Sequence, residues 1–222
     1  LTVIYGVSES LSDEVAHDPD LARSVHLLRE QAERMKHLVD DLLLLARLET
    51  GTEAGNGHWL DVPALLATLI EEGRVLSGEH AHEFEIDAEP GLFLYGNETE
   101  LRSAFANLLF NAIHYTPDGG RIRVHWGSDM RGGVLEVEDT GIGIEPEHIE
   151  RLTERFYRVD TGRSKSRGGT GLGLAIVKHV LMRHNAQLRI HSEPGEGSRF
   201  TCLFPARLLR SSTNGQTETS RA

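Results

Sequence analysis

The sequence predicts an α-helical hairpin, of the kind that pairs with a second copy into a four-helix bundle, followed by an α+β two-layer sandwich. Two observations carry this reading. Leu21, Val25, Leu28, Ala32, Met35, Val39, Leu42 and Ala46 follow an unbroken 4-3-4-3 spacing, which places all eight on one seam of a helix. Past residue 57 the pattern changes to short β-rich runs interleaved with amphipathic helices, as expected of helices laid on a sheet.

The elements follow in order. Leu1, Ile4, Ser8, Leu11 and Val15 begin the helical rhythm, which breaks at His17-Asp18-Pro19-Asp20. That break has turn chemistry, and Asp20 can cap the second helix. The hairpin occupies residues 1–50, and its apolar stripe is wider than one hairpin can bury, so a homodimer is expected. Residues 51–57 (GTEAGNG) read as a linker. The sandwich should occupy residues 58–209. Its expected helices are Val62–Arg74, Glu98–His114, Pro146–Arg151 and Leu172–Arg183. Its expected strands are Phe84–Ala88, Leu92–Tyr95, Arg121–Trp126, Val134–Glu138, Gln187–His191 and Arg199–Phe204. Residues 210–222 are polar and aperiodic, so a disordered tail is expected there.

Composition removes several function classes. The chain has 222 residues, 39% hydrophobic and 26% charged, in the range of a folded soluble domain rather than a disordered one. A net charge of -11 argues against a duplex-DNA footprint, which needs a basic face. One cysteine, Cys202, excludes a disulfide framework, and its place in an alternating apolar run makes it a core residue. No run approaches the ~20 apolar residues needed to cross a bilayer. The chain opens on Leu1 within a helical pattern, as a piece of a longer protein would.

Four clusters carry chemistry. In Asn107-Leu108-Leu109-Phe110-Asn111-Ala112 the two asparagines lie four apart on one helix face. An amide oxygen is a hard, neutral ligand for magnesium already crowded by phosphate charge. Alone, such a pair is more often surface decoration. Asp139-Thr140-Gly141-Ile142-Gly143 follows a strand. A carboxylate there can accept a hydrogen bond from the amino group of a base, and the glycines admit close backbone approach. Alone, it is more often a tight turn with a capping Asp. Arg155-Phe156-Tyr157-Arg158 offers forked donors for phosphate oxygens beside an aromatic anchor. Gly168-Gly169-Thr170-Gly171-Leu172-Gly173-Leu174 leads into a helix, so its N–H groups can cradle an anion. It lacks the Gly-Lys-Ser/Thr of a P-loop and does not follow a strand as a Rossmann loop does. The Arg- and Lys-rich run 159–167 between the last two clusters has the composition of a basic lid.

Together and in this order, the clusters resemble the N, G1, F and G2 boxes of sensor histidine kinases, within the wider gyrase, Hsp90 and MutL ATP-binding superfamily. The likeness runs from Leu1 to about Leu209. The run from Arg151 to Asp160, with Asn111–Pro117 and Gly173–His179, is similar to the phosphate-regulon sensor kinases. Family members carry a His-Glu-Leu-Arg-Thr-Pro box that usually continues Leu-Thr. This chain opens Leu1-Thr2, so by resemblance the phosphoacceptor histidine lies just before Leu1. His26 and His37 lack the following acidic residue of that box and read as exposed helix residues, and His17 falls in the turn, so none offers a replacement.

The resemblance implies ATP and Mg2+ as cofactors. It implies that Asn111 coordinates the metal and that Asn107 supports metal and phosphates. Asp139 would accept the adenine amino hydrogen, backed by Ser198 through a water. Gly141 and Gly143 would shape the base pocket, and Tyr115 and Tyr157 would line the site. Gly169, Thr170, Gly171, Leu172 and Gly173 would hold the phosphates, and Arg158 would steady charge on the transferring phosphoryl group. The family commonly has Lys where this chain has His114, and two readings stand for that residue: a weaker, protonation-tuned phosphate contact, or a tolerated surface side chain. The implied activity is phosphorylation of a bundle histidine, then of an aspartate on a response-regulator receiver domain. The parent is expected to be membrane-anchored, with this part at the cytoplasmic face of the bacterial inner membrane. Two other readings compete: a nucleotide-binding module without chemistry, and an ATPase of the gyrase or Hsp90 kind. The ATPases use a Glu general base where this chain has Asn107, and an amide cannot take a proton from water.

Overall fold

A computed structural model describes residues 19–50, 57–159 and 169–212. The first hairpin helix, the 51–56 part of the linker, residues 160–168 with most of the basic run, and residues 213–222 lie outside them. Helix α1 spans Pro19–Glu49. It begins on the proline, which suits a first helical turn because its missing N–H would have no partner there. Asp20 therefore sits inside the first turn, where its charge complements the helix dipole, rather than at the cap that the turn chemistry suggested.

Strand β1 (His58–Asp61) ends on Asp61, whose carboxylate accepts the Ala64 N–H at 3.1 Å and so caps helix α2, Val62–Ser77. Strands β2 (Glu83–Ala88) and β3 (Leu92–Gly96) lead to α3, Glu98–Tyr115. Asn97 caps α3 by accepting from Glu100 N–H at 3.1 Å. The hairpin of β4 (Arg121–Asp129) and β5 (Gly132–Asp139) is followed by a single-turn helix α4, Pro146–Ile149. Helix α5 (Gly173–Arg183) and strands β6 (Gln187–Glu193), β7 (Gly197–Pro205) and β8 (Leu209–Ser211) complete the chain.

Five strands form one sheet in the order β2-β4-β5-β7-β6, and three form another in the order β1-β3-β8. All pairs are antiparallel except β2 with β4, which run parallel because the chain passes through β3 and α3 between them. β1 and β8 are additions to the sequence reading. A four-residue and a three-residue strand are too short for alternation to be visible. β8 also extends the ordered chain past residue 209, so Arg210 and Ser211 belong to the sheet rather than to a tail.

Alternation along β4, β5 and β7 sends Ile122, Val124, Trp126, Leu135, Val137, Phe200, Cys202 and Phe204 to one buried face. The helices supply Leu69, Leu101, Phe105, Leu108, Ile176 and Val180 from the other side. Each fully buried Leu or Phe of this kind contributes roughly 1.5–3 kcal/mol. Trp126 sits at the centre, edge-on to Phe204 with ring centroids 6.1 Å apart, and its indole N–H donates to Leu92 O at 3.1 Å, tying the two sheets together. Cys202 is core as expected, its thiol pushed up to about 12 by burial. The opposite face of the five-stranded sheet is a ladder of ions, including Arg123–Glu85 at 2.9 Å and Arg199–Glu138 at 2.8 Å.

Helix α1 packs on the sandwich core through its C-terminal end. Leu45 and Leu48 are buried in the common core against α5. The predicted seam faces elsewhere: Leu28 is 61% exposed and Met35 58%, and Leu21, Val39, Leu42 and Ala46 are also exposed. Only Val25 and Ala32 of that set are buried.

Candidate functional site

A cleft of about 1340 Å³ opens between α3, the Gly169–Gly173 loop and α1. Asn107, Asn111, His114 and Tyr115 reach it from α3, Tyr157 and Arg158 from the loop after α4, and Thr170, Gly171 and Gly173 from the start of α5. The spacing of four on α3 puts both carboxamides on the cleft side. Asn107 is fixed: its Nδ2 donates to Ser103 O at 2.9 Å, which turns Oδ1 outward. A Cβ on Gly173 would collide with that Oδ1, so a glycine is needed where α5 begins. Asn111 is half-buried, with no hydrogen bond to the described residues recorded for its carboxamide.

The N-terminus of α5 faces Asn107 without a side-chain cap of its own. Its first N–H groups are therefore free to hold an anion. The loop before it is braced from below. Phe156, at φ 62°, donates its N–H to Gly171 O at 2.8 Å, and Gly171 is at φ 72° with the Phe156 backbone against its α-carbon. A non-glycine residue at φ near +60° is strained, and here two adjoining left-handed residues lock the turn to the loop. Arg158 donates from Nη1 to Gly169 O at 2.8 Å, which holds its guanidinium beside the Gly169–Gly173 loop. Tyr157 is oriented by His148, 2.7 Å from its hydroxyl, and by Arg151 stacked 4.2 Å over its ring.

The first 51 residues match the model of the His Kinase A (phospho-acceptor) domain, and residues 96–208 match that of the histidine kinase-, DNA gyrase B- and HSP90-like ATPases. The chain belongs to the histidine kinase family. Its relatives include the phosphate regulon sensor protein PhoR of Pseudomonas aeruginosa, 53% identical over 205 residues covering 92% of this chain and 46% of that protein. PhoR of Haemophilus influenzae is 38% identical over 214 residues, covering 96% and 50%. The chain thus spans about half the length of the curated relatives it matches. Among solved structures, full-length ShkA in complex with AMPPNP superposes with a TM-score of 0.74 at 25% identity, over 94% of this chain and 43% of that one. The Acinetobacter baumannii histidine kinase AdeS, at 22% identity and a TM-score of 0.69 over 92% of this chain and 94% of that one, shares the fold.

The fold sets the carboxylate at the end of β5 apart from the cleft. Asp139 is 5% exposed and lies behind the wall made by Tyr115 and Ile142, where Ile142 N–H donates to Tyr115 O at 3.1 Å. Its Oδ1 accepts the Gly141 N–H at 2.8 Å. Gly141 is wedged between that carboxylate and the Tyr115 carbonyl, with no room for a Cβ. Burial pushes the Asp139 carboxyl up to about 6, against the lowering pull of the Gly141 and Ser198 N–H groups. Ser198 faces Asp139 across the β5–β7 pair, and its hydroxyl lies 3.0 Å from that of Ser192. Asp139 and Ser198 open instead onto a smaller cavity of about 190 Å³ at the β6–β7 turn. Gly143, at φ 68°, packs on the Glu193 carbonyl and joins this turn to the loop after β5. Leu172 is fully buried beneath the glycine loop and anchors it rather than lining the cleft.

The large cleft has a wall the motifs did not announce. Glu30, Glu33, Arg34, His37 and Asp41 of α1 line it opposite α3. His37 is exposed, as the sequence suggested, but it belongs to this wall. A signal existed: Glu30, Arg34, His37, Asp41, Leu45 and Leu48 step by fours and threes beside the apolar seam, a second stripe whose role depends on what α1 meets. Among the described residues no helix is long and apolar enough to cross a membrane. Nor do the described residues contain a cluster of three or more His, Cys, Asp or Glu that could hold a metal.

Proposed function

We propose that the cleft binds magnesium-ATP and that the γ-phosphoryl is transferred to a histidine of the phospho-acceptor bundle, then to an aspartate of a response-regulator receiver domain. The observation that carries this reading is the pairing of two half-buried carboxamides, Asn107 and Asn111, with the uncapped N-terminus of α5 across one cleft. A hard cation beside Asn111 would neutralise charge on the phosphate oxygens. Asn111 offers it a neutral oxygen, and Asn107, tethered to Ser103, holds its own oxygen towards the phosphate end. The N–H groups of Gly171 and Gly173 and the Arg158 guanidinium orient the phosphates. Phosphoryl transfer needs positioning and charge neutralisation rather than a covalent protein intermediate. Asp139 would select adenine, with Ser198 beside it and Gly141 and Gly143 shaping the pocket edge. Tyr115 and Tyr157 would flank the nucleotide, and His114 would contribute near the phosphates from the next turn of α3.

The likeness to the two phosphate regulon sensors supports a place in phosphate-limitation signalling. It also supports a homodimer built on the exposed α1 seam, in a parent anchored at the cytoplasmic face of the inner membrane. The test is calorimetry with ATP and magnesium, followed by mixing with a bundle that carries the His-Glu-Leu-Arg-Thr-Pro box. Asn111→Ala should lose magnesium-dependent ATP binding and phosphohistidine formation. Unchanged nucleotide affinity in that variant overturns the metal assignment, and ATP binding with no phosphohistidine leaves a nucleotide sensor instead of a kinase.

A further inference from the structure

Tyr157 lines the cleft, and the two residues that hold its side chain do not. His148, on the single turn of α4, brings Nδ1 to 2.7 Å from the Tyr157 hydroxyl. Arg151 lays its guanidinium 4.2 Å from the ring centroid and is itself drawn to the Glu154 carboxylate at 3.4 Å. Because Arg151 stands outside the cleft, the ring face it covers is turned away from the cleft. A ligand would meet the opposite face or an edge. The ring is therefore held at its tip and at its back by residues no more than nine positions before it.

The hydrogen-bond chemistry limits what Tyr157 can offer. The Glu147 carboxylate lies 3.8 Å from Nε2 of His148, which favours the ring proton on that nitrogen and leaves Nδ1 an acceptor. The Tyr157 hydroxyl then donates its single proton to His148. It has no second proton for a phosphate or ribose oxygen, so what it presents to a ligand is its ring. An aromatic face carries negative potential, and the Arg151 cation behind the ring offsets it, which suits a ring beside a polyanion. The brace survives protonation of the imidazole, because Nδ1–H would then donate to the phenol oxygen.

We propose that His148 is a positioning residue for the nucleotide, acting through the Tyr157 hydroxyl: it fixes the ring before the nucleotide arrives, so that binding does not have to order it. This rests on the reading of the cleft as a nucleotide site and adds a residue to it. Without the brace the tyrosine is immobilised only on binding, and ordering one such side chain weakens affinity by roughly two- to ten-fold.

ATP affinity should be measured by calorimetry in magnesium for the native chain, His148→Ala, Tyr157→Phe and the double variant. Each single change should weaken ATP by about two- to ten-fold. The double variant should be no weaker than either, because both changes remove the same contact. His148→Asn, whose carboxamide reaches the position of Nδ1, should return affinity to within about two-fold of native. Losses that add in the double variant overturn the inference, since His148 would then act by a route other than the hydroxyl. A Tyr157→Phe loss well beyond that of His148→Ala also overturns it, because the hydroxyl would be touching the nucleotide itself. Native affinity in Tyr157→Phe, or an Asn variant as weak as the Ala variant, has the same consequence. No heat at all in the native chain would instead sink the nucleotide reading, and the role of His148 with it.

Discussion

Helices α1 and α3 carry apolar residues at equally regular spacing and end in opposite surroundings. On α3, Leu101, Ala104, Phe105, Leu108 and Ala112 are buried to within 1%. On α1 the seam from Leu21 to Ala46 is mostly exposed, while Leu45 and Leu48, outside that seam, are the residues the sandwich covers. Helical periodicity states that a face will be covered. It does not state by what. For α3 the cover is the chain's own sheet, so the helix is part of a cooperative core. For α1 the cover is divided between the sandwich at one end and, by our proposal, a second copy along the seam.

The comparison can be broken by shifting the core. Leu108→Ala should cost roughly 2–5 kcal/mol of sandwich stability in denaturant unfolding, because the packed site cannot collapse around the cavity. Leu28→Ala, on the exposed seam, should leave that transition within about 0.5 kcal/mol and weaken self-association in sedimentation equilibrium. Equal losses in both variants would mean that α1 and the sandwich unfold as one unit.

Protonation sharpens the contrast at the buried Asp139. Asp139 has its folded pKa raised to about 6 from an ordinary 3.8, so the folded state binds its proton more tightly than the unfolded state does. Its contribution to stability is therefore fully present below about pH 4 and is lost as pH rises through about 6, a swing of at most roughly 3 kcal/mol. Asp139→Asn should remove that part of the pH profile in thermal melts. Under the proposed adenine contact, ATP affinity should run the other way and weaken as pH falls through about 6, because the base amino group favours the ionised acceptor. A flat affinity profile between pH 5 and 8 would count against Asp139 as the base acceptor.

Smaller effects separate helix starts from surface decoration. Asn97→Ala removes the α3 cap and should cost about 1 kcal/mol by chemical denaturation. Arg199→Ala, in the exposed ladder, should cost less than about 1 kcal/mol and less still in high salt. A ladder variant costing as much as the cap variant would show that the solvent face of the sheet works as a network.

Most long elements were legible because their signals are local. The amphipathic run Glu98–His114 announces α3, and the alternation in β4, β5 and β7 announces the sheet face. The convergence of the candidate site residues was equally legible: Asn107, Asn111, Arg158 and the Gly169–Gly173 loop meet in one cleft. The base end was less so. Nothing in Asp139-Thr140-Gly141 says that the carboxylate folds back on its own loop behind Tyr115, since that depends on β7 supplying the Ser198 N–H from 59 positions away. The short strands β1 and β8 were missed because pairing with β3, rather than their own sequence, makes them strands.

By itself the sequence determined which residues could do chemistry and in what order they come, because side-chain type, helical spacing and glycine loops act within a few residues of one another. Only the tertiary structure decided that β2 runs parallel to β4, and that Gly173 must be bare to clear Asn107. It alone made the polar stripe of α1 a wall of the cleft. Each of these rests on contact between segments distant in the chain, where the packing of whole layers, and not any local preference, selects the arrangement.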